Sequence, residues 1–164
     1  MPLFGQKPRT FDLRSEAEAF RTDLRRRFTA FDPASPDGPG EGGPVTLWSV
    51  GFDLNEEGWI AVVFDTRPDA EHDAEWTDHV HGAAKLPRPA WYDVSDHLDE
   101  GGAVTVIGLD GAETTVRDNC DRLLEPVGDM LSAVVNEERV AGALPDWLPA
   151  GPDACIVEAE NGGY

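Results

Sequence analysis

The segment 65–81, DTRPDAEHDAEWTDHVH, packs six acids (Asp65, Asp69, Glu71, Asp73, Glu75 and Asp78) and three histidines (His72, His79 and His81) into seventeen residues. Two chemistries suit that mixture. On a helix, His72, Glu75 and His79 would share a face and, with His81, could offer nitrogen and oxygen ligands to a transition metal, which would make the chain a metal-dependent enzyme. The spacing matches no HExxH or comparably constrained motif, however, and a dense run of acids more simply forms a solvated or protein-contacting face. The favoured reading is therefore a binding surface built from Asp65, Asp69, Glu71, Asp73, Glu75, Trp76 and Asp78, with no catalytic residue, metal or cofactor assigned. Trp76 is a large aromatic among acids; such a residue is a core anchor first and an interface hot spot second, and it joins the binding set on the second ground.

Other chemistry is thinner. Asp53, Asn55, Glu57, Gly58 and Ile60 fall at positions one, three, five, six and eight of a calcium loop, but Phe64 stands where the bidentate Glu must be. That loop reads as a chance match to a polar turn. Cys120 and Cys155 are the only cysteines; they are too few for a disulfide framework and read as buried filler, thiols of a reducing compartment. The sequence contains no G-x-S-x-G, no GxGxxG and no GxxxxGK[ST], so neither a nucleophile elbow nor a phosphate cradle is recognisable.

The elements that would position these residues follow from periodicity. Leu13, Ala17, Phe20, Leu24, Phe28 and Phe31 make one apolar stripe of a helix over 13–31 with Asp12 as its cap. Arg14 with Glu18 and Asp23 with Arg27 are spaced for ion pairs, and Arg25-Arg26-Arg27 reads as a solvated face. PASPDGPGEGGP, at 33–44, has almost nothing to bury and reads as a flexible loop. Two antiparallel strands are expected at 45–53 and 58–65, the second central because WIAVVF is apolar on both faces. Residues 66–101 read as irregular, with a helix around 70–82, breaks at Pro87 and Pro89 and a helical turn at 93–99. Asp110-Gly111 signals a hairpin between AVTVIGL and ETTVR. A second long helix is expected over 117–139, or from Pro126 onward, and ACIVEAE is the last strand. Trp48 and Trp59 are expected in the core, with Trp91 and Trp147 closing the ends of the fold. The sum is α+β, an antiparallel sheet of about five strands packed against two long helices, in one domain spanning 1–164.

Charge bounds the partners. The 164 residues hold 32 Asp and Glu against 13 Lys and Arg, a net of −19. Residues 1–27 carry seven basic and four acidic side chains, a local +3, so the remaining 137 carry −22. That surface repels nucleic acid and anionic membranes and favours a basic protein partner. An unspecialised domain from a salt-adapted cell would look similar, since only two Lys stand beside eleven Arg. No apolar run approaches the roughly 18 residues of a membrane span, and MPLFGQKPRTF carries no secretory signal, so a cytoplasmic protein is expected. Oligomeric state is not legible.

A leading amphipathic helix, the strands TLWSVGFD and one ending FDT, an RPAWYDV segment, a long helix and the acidic CIVEAENGGY follow one another over about residues 11–162. In that order the chain resembles the bacterial immunity-type domains found beside polymorphic toxins. The resemblance implies a non-enzymatic protein that binds and blocks a toxin by setting an acidic face against a basic nuclease site; it assigns no individual residue.

Overall fold

Helix α1, Leu13–Ala30, buries the stripe its periodicity predicts: Leu13, Ala17, Phe20, Leu24 and Phe28 all lie inside. Asp12 caps it, its Oδ1 accepting the Arg14 N–H at 3.0 Å. This helix belongs to a computed structural model that describes residues 9–30, 45–65, 80–149 and 155–159. The expected loop at 33–44 and the 70–79 part of the expected helix lie outside the described residues.

The chain is α+β. After β1 (Arg9–Asp12) and α1 come β2 (Leu47–Asp53), β3 (Trp59–Asp65), β4 (Val80–Pro87), α2 (Pro89–Asp99), β5 (Val104–Ile107), β6 (Glu113–Val116), α3 (Leu124–Val140) and β7 (Cys155–Ala159). Among the described residues there are two mixed sheets instead of one antiparallel sheet, ordered β1-β5-β6 and β4-β3-β2-β7. Both hairpins are antiparallel as expected, whereas β1 runs parallel to β5 and β7 parallel to β2. A parallel pair joins strands far apart in the chain, so no local turn signal announces it.

β3 is central, between β2 and β4. Its Ile60, Val62 and Phe64 enter the main core, while Trp59, Ala61 and Val63 form a separate buried cluster on the opposite face. The main core is contiguous and takes side chains from both sheets and all three helices. β4 corrects the reading of 80–82 as helix. Its sequence, VHGAAKLP, has no β alternation, and it is held by its register with β3, which slips by one residue between Val62 and Phe64. Such a slip is a bulge, which bends and twists a strand.

Helix α2 begins at Pro89, four residues earlier than expected, because a proline at the first helical position loses no hydrogen bond. Trp91 is consequently a core residue rather than an end cap: it is fully buried, lies tilted against Phe11 with ring centroids 6.2 Å apart, and donates its Nε1–H to Glu16 at 2.8 Å. Trp147 does close over Phe28 and Phe64, edge-on to both. A 3-10 turn over Cys120–Leu123, capped by the Asn119 side chain, leads into α3, so the second long helix starts neither at 117 nor at Pro126.

Candidate functional site

Of the seven acidic-segment residues, Asp65 ends β3 as the register partner of Val80 in β4. Asp69, Glu71, Asp73, Glu75, Trp76 and Asp78 lie outside the described residues, as do His72 and His79. Asp65 and Val80 are the last register partners of the β3–β4 pair, at an edge of the four-stranded sheet's order. Among the described residues, no three His, Cys, Asp or Glu side chains gather closely enough to hold a metal ion.

The basic charge of the N-terminal region is taken up within the fold. Glu138, 3% exposed in α3, binds Arg25 through two hydrogen bonds of 2.9 Å and also lies 3.1 Å from Arg21. Arg21 further meets Glu18 and Glu137. The hydrogen bonds that Arg25 donates to Glu138 hold the Arg25 pKa above its ordinary value. Arg14 turns back on Asp12 at 2.9–3.0 Å instead of pairing with Glu18, and its hydrogen bond holds the Asp12 carboxyl below the usual range. Asp23 pairs with Arg88 and, at 3.7 Å, with Arg26, while the Arg27 guanidinium sits 5.3 Å from the centroid of the Phe64 ring. Burial lowers the Arg27 pKa. Within the run Arg25-Arg26-Arg27, Arg26 is exposed and pairs inside α1 as a solvated face would, whereas Arg25 reaches Glu138 of α3 and Arg27 lies over Phe64 of β3.

The calcium-like loop closes on itself. Asp53 is 2% exposed, and its carboxylate accepts backbone N–H groups from Asn55 (3.3 Å), Glu56 (3.2 Å), Glu57 (2.9 Å) and Gly58 (3.1 Å). Asn55 in turn accepts the Cys120 thiol at 2.9 Å. Burial, with Asp99 beside it, pushes Cys120 up to about 11, and burial pushes Cys155 up to about 12. Both thiols stay protonated near neutrality and lack the thiolate character of a nucleophile. No disulfide joins them.

One cavity, of about 500 Å³, opens between the C-terminal half of α3, the turn that follows it, and strands β2 and β7. Trp48, Val135, Leu148 and Val157 supply apolar wall; Ser132, Asn136 and Arg139 line it from α3. The sequence marks Trp48 only as a core residue, and the others look like ordinary positions of an amphipathic helix or strand. No helix among the described residues is long and apolar enough to cross a membrane. No protein-family model, curated protein or solved structure matches the chain.

Proposed function

We propose that the chain is a non-enzymatic, cytoplasmic binding protein of the immunity type, which engages a basic protein partner, such as a nuclease toxin, through an acidic surface centred on residues 65–78. The observation that carries this reading is the charge asymmetry, with −22 on the residues after 27. Support comes from the ion pairs of α1: with Arg14, Arg21, Arg25 and Arg88 each held by a carboxylate of the same chain, little positive charge offsets the acids outside. Asp65, Asp69, Glu71, Asp73, Glu75 and Asp78 would steer the partner in, and Trp76 would anchor it. The same field disfavours nucleic acid and anionic membranes as direct partners.

The test needs a basic protein partner, such as a nuclease toxin domain, to set against the acidic surface. Reversing Asp69, Asp73 and Asp78 together to Lys should weaken its binding about tenfold or more in low salt. Unchanged affinity in the triple variant would end the proposal.

A second reading is favoured by the spread of exposed acids over separate elements, among them Glu18 in α1, Asp96 in α2, Glu113 in β6 and Glu125 in α3. An acidity that serves salt tolerance would be distributed in this way. Its signature is a thermal midpoint that climbs steeply into molar salt with no basic partner bound.

A further inference from the structure

The cavity beside α3 has a cation, Arg139, on its wall. Six other arginines, Arg14, Arg21, Arg25, Arg26, Arg88 and Arg122, each meet a carboxylate within 4.0 Å. Arg139 is half-buried on the cavity wall and donates to the neutral Asn136 Oδ1; among the described residues it makes no other hydrogen bond and no ion pair. Arg9 and Arg117 also meet no carboxylate within 4.0 Å among the described residues, but Arg139 is the one of the three that lines this cavity.

Helix α3 does not need that cation at its end. The N–H groups of Ala141, Gly142 and Ala143 bond to the carbonyls of Glu137, Arg139 and Glu138 at 2.9, 3.1 and 2.9 Å, closing the terminus with backbone alone. Gly142, at φ +70°, supplies the left-handed residue such a closure requires. Asn136, one turn back, orients the guanidinium, whose remaining N–H donors are open to a ligand.

Most of the remaining wall is apolar or neutral: Trp48 (2% exposed), Val135, Leu148 and Val157, with Ser132 and Cys155 also on the lining. Asp146 also lines the cavity, but it is exposed and lies beyond ion-pair distance of Arg139. A volume of about 500 Å³ falls in the range of small-molecule sites.

We propose that this cavity binds a small organic carboxylate with an apolar body, the carboxylate on Arg139 and Asn136 and the body against Trp48, Val135 and Val157. None of these residues belongs to the acidic surface, so the site stands or falls independently of the protein partner.

Calorimetric titration of the full chain with 3-phenylpropionate and with its neutral amide tests it. The acid binds in the millimolar range or tighter, and the amide binds roughly tenfold more weakly, the worth of a hydrogen bond to a charged group. Arg139→Gln erases the preference for the acid while its thermal unfolding stays close to that of the parent, because the side chain holds no ion pair among the described residues. Ser132→Trp, which fills the cavity, abolishes binding of both probes. Absence of binding by the acid at millimolar concentration, equal binding of acid and amide, or an acid preference that survives Arg139→Gln would each overturn the assignment. Should Ser132→Trp fail to fold, the acid-to-amide ratio in Arg139→Gln decides alone.

Discussion

Asp53 illustrates how a carboxylate in this chain can look like a ligand and act as a brace. Its oxygens are filled by four successive backbone N–H groups, so removing them leaves buried donors without partners. Asp53→Ala should therefore cost about 2 kcal/mol, measured by denaturant unfolding. The sequence showed a polar turn there, but whether the acid faced outward to a cation or inward to its own loop depends on backbone torsions that composition does not encode. The two thiols carry a second prediction. Their folded pKa values, pushed to about 11 and about 12 by burial, lie above the ordinary 9.0. A raised thiol pKa favours folding below the unfolded value, and that contribution is lost as the unfolded chain ionises first. Stability should thus be level in this respect below pH 9 and fall between about pH 9 and 12, and Cys120→Ser with Cys155→Ser should flatten that fall. Equilibrium unfolding across the alkaline range checks both.

At the scale of elements, the β2–β3 loop is fixed to the start of α2. Gly58 has φ +75°, its carbonyl accepts the Arg88 N–H at 2.8 Å, and a Cβ added there would stand 2.3 Å from the Arg88 carbonyl oxygen. Gly58→Ala should lower stability by about 2 kcal/mol or more through backbone strain, and hydrogen exchange should show opening at the N-terminal turn of α2 as well as in the loop. Elements with a local signature were legible: the stripe of α1, the β2–β3 and β5–β6 hairpins, the late strand β7. Those without one were not. RTFD is too short to show a period, and it is a strand because β5 pairs with it. VHGAAKLP lacks β-branched alternation and is a strand because central β3 needs a second neighbour. The proline at 89 read as a break because a proline can either end a helix or begin one, and only packing of Trp91 into the core selects the second.

For the whole molecule, the charge total was plain in the sequence but its partition was not. That Arg21 and Arg25 would converge on buried Glu138, more than a hundred residues away, needed α1 and α3 to be packed together. The cavity escaped the sequence for the same reason, since Trp48, Arg139 and Val157 meet only when β2, α3 and β7 do. The remaining, unbalanced acids give the central claim its physical content: a long-range field that accelerates encounter with a basic protein and is screened by salt. The association rate constant with a basic protein partner, such as a nuclease toxin domain, followed by stopped flow from low to molar ionic strength, measures that field directly. The account predicts a fall of about tenfold or more across the series, with a shallower slope for the variant reversed at Asp69, Asp73 and Asp78. A rate that stays flat with salt, or a slope unchanged by those reversals, would contradict it.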